Sequence, residues 1–369
     1  MDINQFSSLQ QQVLAAGFAL AFLFGLIGQR THFCTMGAFS DVINMGDWSR
    51  MRQWALVMAT AMAGFALLSW SGQIDPQQSL YHTTKWLWLS TLLGGALFGI
   101  GMVLASGCGN KTLIRMGTGN LKSWVVFVFM GVSAFATLKG LTAVWRTRSI
   151  DTVFIDMPAG AHLGTWIATW ADLPHVWPVA GLVVAAALSV WALSSKDFWQ
   201  ADHLLAGLGL GLLVTAMLWV SGHLGFVQEH PETLESVYLT TNSGRMEAMS
   251  FVAPMAYLLD WLMFYSDASK VLSFGMVSAV GVVCGAAVSS LLNGSFRWEG
   301  FGQTSDLTHH LVGAILMGVG GVTAMGCTIG QGVSGISTLS LNALTAVLGI
   351  GLGAWLGFKY QTWSLERSL

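Results

Sequence analysis

Apolar, almost uncharged stretches recur along the whole chain at 12–29, 53–71, 86–106, 122–143, 176–195, 202–222, 251–266, 271–292, 307–326 and 340–358. Most have the length at which a helix crosses the hydrocarbon core of a bilayer. None alternates with the period of two that a barrel strand needs, so the pattern predicts helices. The stretch at 251–266 is short and holds Pro254 and Asp260, which suits a half-helix or a re-entrant piece; nine or ten crossings follow. The longer polar links, 144–175 and 223–250, carry several charges plus proline, and neither reads as a folded domain. The expectation is an all-α integral membrane protein, one membrane domain over 1–369.

Composition agrees: 9% of residues are charged and 54% hydrophobic, with a mean hydropathy of +0.62, against roughly 25% charged in soluble domains. The net charge of −2 selects no partner, and no basic tract suits nucleic acid. Met1 to Gln12 is polar without a positive start, so no secretory signal is expected and the first apolar run stays as a membrane helix. Arg30, Arg50 and Arg52 mark one link and Lys111, Arg115 and Lys122 another. Positive charge favours the cytoplasm for both, with the N-terminus outside. Nine crossings then leave Lys359 and Arg367 inside.

Two stretches match each other. Shifting the chain by 219 positions superimposes Gly94, Leu97, Gly99, Gly101, Val103, Ala105, Gly107 and Cys108 on identical residues that end at Gly326-Cys327. A weaker match sets Phe24-Gly25 ten residues before Cys34, and Phe274-Gly275 ten before Cys284. Internal repeats at about 12–143 and 271–358 follow; such repeats build sites at their interface. Sequence does not separate an inverted from a parallel arrangement.

The chemistry sits where these segments break. In Ser106-Gly107-Cys108-Gly109-Asn110-Lys111-Thr112 a glycine-rich break carries polar residues. Irregular backbone at membrane depth survives only when buried in protein or lining a cavity. A helix restarting near Thr112 would turn free N–H groups toward an anion, and Lys111 adds full charge; a cytoplasmic loop with a snorkelling lysine is the plainer alternative. The second copy, Gly326-Cys327-Thr328-Ile329-Gly330-Gln331-Gly332, offers hydroxyl, amide and thiol in an interval with no charge between Asp306 and Lys359, which suits a turn dipping into the membrane. The third site, Gly28 to Asp41, holds Arg30, His32 and Cys34; Asp41 is expected to pair with Arg30 or Arg50.

The four cysteines (Cys34, Cys108, Cys284, Cys327) are far apart without a C-x-x-C pair, so neither a zinc site nor a disulfide framework is expected. A cysteine in apolar surroundings stays protonated, its pKa above the unperturbed value of about 8.5. Neutral thiols are weak, polarizable donors that hold a soft anion loosely enough to release it. For Cys284, inside the apolar run Val280 to Val288, a packing role is favoured. Gly349, Gly353 and Gly357, and Gly207 with Gly211, are helix-packing positions. His309 and His310 are adjacent, unlike the i, i+4 pair that a helical metal site uses. No phosphate-binding loop is present, so direct ATP drive within the chain is not expected, nor any cofactor.

Together, His32-Phe33-Cys34-Thr35-Met36-Gly37-Ala38-Phe39-Ser40-Asp41, Gly107-Cys108-Gly109, Asn293-Gly294-Ser295-Phe296-Arg297-Trp298 and Gly326-Cys327-Thr328-Ile329-Gly330-Gln331-Gly332 resemble the YeeE/YedE family of sulfur-transport membrane proteins, the TsuA-type thiosulfate transporters. The resemblance implies an hourglass-shaped bundle of two pseudo-symmetric halves with short re-entrant hairpins, in the bacterial inner membrane. It implies uptake of thiosulfate or a related sulfur anion past Cys34, Cys108 and Cys327, with partners of the TusA-like sulfurtransferase type. Gly107, Gly109, Lys111, Gly326, Thr328 and Gln331 complete the expected substrate path. Ser40 replaces the basic residue often found before the motif aspartate, and Asn110-Lys111 departs from the usual glycine-cysteine motif. Two alternatives remain: a membrane enzyme moving sulfur through a persulfide on Cys108, and a transporter of a selenium species.

Overall fold

The computed structural model describes residues 3–171, 176–231 and 233–368; the end of the 144–175 link and the first two residues lie outside them. Fifteen helical segments follow one another: α1 (Ile3–Arg30), α2 (Thr35–Ser40), α3 (Ser49–Trp70), α4 (Trp88–Leu104), α5 (Gly109–Gly117), α6 (Leu121–Lys139), α7 (Leu141–Arg148), α8 (Leu163–Ala171), α9 (Val176–Leu193), α10 (Ala201–Leu204), α11 (Gly211–Trp219), α12 (Val252–Met263), α13 (Phe274–Leu292), α14 (Thr304–Thr323) and α15 (Leu341–Ser368). Wide turns of the π type join α10 to α11 and extend α11, so 201–224 is one helical stretch. Seven helical stretches are long and apolar enough to cross a membrane, with shorter apolar helices at Trp177–Leu193 and Val252–Met263. The protein is an all-α integral membrane protein. Among the described residues, paired strands are limited to two small antiparallel pairs, β1 (Lys85–Trp86) with β2 (Ile155–Asp156) and β3 (Phe226–Val227) with β4 (Val237–Tyr238). The first helix begins earlier than the apolar pattern suggests, at Ile3, through the polar residues before position 12.

Glycines set the distances between helices. α4 packs on α14 and α15, and α1 on α13. A Cβ on Gly99 would strike the Ile350 carbonyl, one on Gly353 the Ala96 carbonyl, and one on Gly285 the Phe22 carbonyl. Backbones this close gain van der Waals contact that lipid cannot replace. Gly207 and Gly211 do the same against Leu56 and Thr60 of α3.

The links gather on two faces. On one, Arg50 pairs with Asp41 at 3.3 Å, Arg30 with Asp202 at 3.7 Å, and Lys122 with Asp306 at 2.8 Å. Gln361, near the end of α15, reaches the Val103 carbonyl at the last turn of α4. On the other face, Trp219 bonds Gln73, Arg245 bonds the His82 carbonyl, and Asn342 bonds Thr83. The start of the chain lies there too, with Phe6 edge-on to His230.

His162 pins the second face. Its Nδ1 meets the Thr338 carbonyl at 3.0 Å, so the proton sits on Nδ1, and its ring stacks on His82 at 4.8 Å. Backbone bonds from Leu163 to Leu339 and from Leu341 to Ala161 clamp the start of α15. Burial, opposed by the Thr338 carbonyl, pulls the His162 pKa down to about 4. The folded state therefore favours the neutral ring, and this stability is present above the unfolded value near 6.5. Between there and about 4 the unfolded chain binds more protons, so stability falls with falling pH by up to about 1.4 kcal/mol per unit. Thermal unfolding of purified protein at pH 7 and pH 5 should show a lower midpoint at pH 5, and His162→Gln should reduce that difference.

Candidate functional site

Three cysteines occupy one local device, repeated. α1 ends with His32 in the left-handed region (φ 51), α4 with Ser106 (φ 54) and α14 with Met325 (φ 61). In each case the next residue's N–H returns to the carbonyl five back: Phe33 to Gly28, Gly107 to Met102, Gly326 to Gly321. The left-handed residue's own N–H returns three back, to Gln29, Val103 and Val322. This is the Schellman stop, which satisfies carbonyls that a helix end would orphan. Left-handed backbone costs a non-glycine residue roughly 1–2 kcal/mol, so its threefold use marks a constrained geometry.

One residue after each stop stands the cysteine. Cys34 is the N-cap of α2 and accepts from the Gly37 N–H at 3.4 Å. Cys327 accepts from the Gly330 N–H at 3.4 Å, at the start of the wide turns Gly330–Gly335. Cys108 is the N-cap of α5 and faces the Lys111 N–H in looser geometry. α5 restarts at Gly109, three residues before the expected Thr112. Each thiol thus stands beside free N–H groups at a helix start, where partial positive charge collects.

The devices meet. The Cys34 and Cys108 thiols lie near each other, and Cys108 also lies near the Thr328 hydroxyl, whose oxygen closes no hydrogen bond. Thr328 follows Cys327, so side chains from both halves of the chain come near each other at Cys108. Cys108 and Cys327 are fully buried and Cys34 is 6% exposed. Phe251, at the N-cap of α12, closes over Gly109 and contacts Phe24. Cys284 lies elsewhere, half-buried in the middle of α13 with no break beside it. The stop that ends α13 falls at Gly294 (φ 63), and the position matching a cysteine is Phe296.

Around this centre the polar residues divide. Toward the Arg50 face, Lys111 and Arg115 lie within electrostatic reach of Cys34, and Arg115 donates to the Ser106 carbonyl at 2.7 Å. Lys111 forms no ion pair among the described residues. Asp41 is held by Arg50, whereas Arg30 takes Asp202. The Arg50 guanidinium packs on Gly37 and the Lys111 stem on Gly107. Toward the other face, a cavity of about 260 Å³ reaches Met325, Gly326 and Gln331 from Tyr81, Arg146, Glu247 and Asn342. Gln331 caps the end of α14 by donating to the Ala324 carbonyl at 2.9 Å. His309 is exposed and His310 pairs with Asp306 at 2.9 Å; among the described residues no cluster could hold a metal.

Five buried polar atoms near the cysteines have no partner: Thr35 Oγ1, Asn110 Nδ2 and Oδ1, Thr328 Oγ1 and Gln331 Oε1. The sequence gives Thr35 no role of its own, and it marks Asn110 as one of the polar residues of the break and as a departure from the usual motif. Phe251 and Tyr81 carry no sequence signal, since both are ordinary aromatics in apolar or mixed surroundings.

The chain is similar to the thiosulfate transporter TsuA of Spirochaeta thermophila, 28% identical over 347 residues that cover 92% of this chain and 96% of that protein. It is 25% identical to the thiosulfate transporter TsuA of Escherichia coli over 346 residues, covering 93% of each. A shorter match, 26% over 120 residues, is to the probable transporter YedE of Escherichia coli, covering 32% of this chain and 28% of that protein. The family profile described as sulphur transport matches residues 30–356. With buried thiols set at the breaks of membrane helices and a matching profile over most of its length, the chain belongs to the sulphur transport family, YeeE/YedE, whose members are transporters rather than enzymes.

Proposed function

We propose that this protein carries thiosulfate, or a closely related sulfur anion, across the bacterial inner membrane, and that the anion passes Cys34, Cys108 and Cys327 as neutral thiols. The observation that carries the reading is the approach of Cys34 and Thr328 to Cys108, which brings positions as far apart as Cys34 and Thr328 together at a buried point. The names of the two long relatives point to the same substrate. A chain of thiolates would repel a dianion, whereas S–H donors attract it weakly and let it leave. The Arg50 face is cytoplasmic by the positive-inside rule, with the 260 Å³ cavity on the outer side. On this reading the breaks at Cys108 and Cys327 are paired re-entrant hairpins of two pseudo-symmetric halves. A TusA-like sulfurtransferase would receive its sulfur at the basic inner mouth.

A persulfide enzyme fits less well. The groups that bear on Cys108 are Cys34, Thr328 and the Lys111 N–H, and no carboxylate or imidazole is among them. Counterflow in proteoliposomes, which needs no driving gradient, tests the proposal. Preloaded thiosulfate should accelerate entry of labelled thiosulfate, with weak competition from sulfate, and selenite and sulfite show whether related species share the path. Exchange no faster than in protein-free vesicles contradicts it.

A further inference from the structure

Resting on that reading, we propose that Asn110 and Thr328 form an oxygen-binding subsite beside Cys108, so that the anion is held by two chemistries at once: thiols on its terminal sulfur, and an amide and a hydroxyl on its oxygens.

Asn110 stands at the second position of α5, within one helical turn of the Cys108 thiol. It is 1% exposed, yet both atoms of its amide lack a partner. Thr328 is equally buried, and its hydroxyl lies near the Cys108 thiol without a hydrogen-bond partner. Buried polar groups are nearly always hydrogen-bonded, and leaving one unpaired carries its desolvation cost. Eleven buried side-chain atoms among the described residues lack a partner, and five of them lie within four positions of Cys34, Cys108 or Cys327. Such clustering marks a site that gives up stability to keep polar groups free, with donors at Thr35, Asn110 Nδ2 and Thr328.

The chemistry selects the ligand class. Asn110 Nδ2 and the Thr328 hydroxyl are neutral donors suited to sulfonate oxygens. Neither matches a soft sulfur atom, which the thiols already serve. An anion with both ends, an S–SO3 group or its selenium analogue, uses the whole site. Hydrosulfide has no oxygen and engages only the thiols. Sulfate has no soft end and engages only the subsite.

Thiosulfate binding to purified full-length protein, with hydrosulfide as competitor, tests this. Asn110→Leu keeps the volume but removes the donor, and Asn110→Asp keeps the shape but places negative charge there. Expected are at least a tenfold loss of thiosulfate affinity in both variants, unchanged competition by hydrosulfide in Asn110→Leu, and ligand-free thermal stability of Asn110→Leu equal to or above wild type. Wild-type thiosulfate affinity in either variant, or a fall in stability with binding intact, overturns the subsite and leaves the transport proposal standing. Absence of thiosulfate binding to the wild type overturns both. If neither variant folds, Asn110 is structural and the inference fails.

Discussion

Cells that depend on this protein for thiosulfate as sole sulfur source should stop growing when Cys108 is replaced by alanine, and equally when Cys327 is, while the protein stays in the membrane. Cys108 lies near both Cys34 and Thr328, so its loss removes the thiol at the middle of the proposed path while the helix packing of α4 on α14 and α15 stays intact. Removing one sulfur atom leaves a small void, costing on the order of 1 kcal/mol, too little to unfold the bundle. The expected loss is therefore of transport, not of abundance. Cys284→Ala is the matched control: it sits mid-helix and half-buried, away from any break, and should grow normally. Normal growth of both Cys108→Ala and Cys327→Ala on thiosulfate would rule out the thiol path.

The opposite pattern, loss of the protein itself, is expected for Gly353→Val and Gly99→Val. A side chain at either position must occupy the space of a backbone carbonyl on the facing helix, Ala96 for Gly353 and Ile350 for Gly99. Neither backbone can yield without parting α4 from α15, and that pair also carries the cap made by Gln361 on Val103. The misfit is larger than the 1–3 kcal/mol of a typical overpacked side chain, so little monodisperse protein should survive extraction in detergent. Gly300→Ala, at an open position, should extract like wild type. Normal yield and elution of Gly353→Val would show that the close approach is not needed.

The helical pattern was plain in the sequence because each span needs only apolar composition and length, and membrane insertion imposes both. The glycine positions at 349, 353 and 357 were equally plain, and all three meet α4. The Gly-Cys repeat pointed to Cys108 and Cys327. What the repeat left out is the turn itself. The left-handed residues are His32, Ser106 and Met325, three different side chains, so no composition signal marks them. The weaker match of Cys34 with Cys284 followed residue spacing, whereas the structural counterpart of the Cys34 turn lies at Gly294, ten residues beyond Cys284. Thr35 and Asn110 stand out only once burial is known, because an unpaired amide in a sealed core differs from the same amide in a loop. The fold is thus readable from patterns and the candidate cysteines from motif and repeat, whereas the unpaired amide and hydroxyls need burial and contacts across the chain.

On the proposed path, sulfhydryls from distant parts of the chain are arranged around a passing anion. Selenosulfate, whose terminal atom scatters anomalously, locates that anion directly in crystals of the protein. A selenium peak is expected against the Cys108 sulfur, with the oxygens turned to Asn110 and Thr328. Selenium peaks confined to the outer surface, with Cys34, Cys108 and Cys327 packed dry in both soaked and unsoaked crystals, would contradict it.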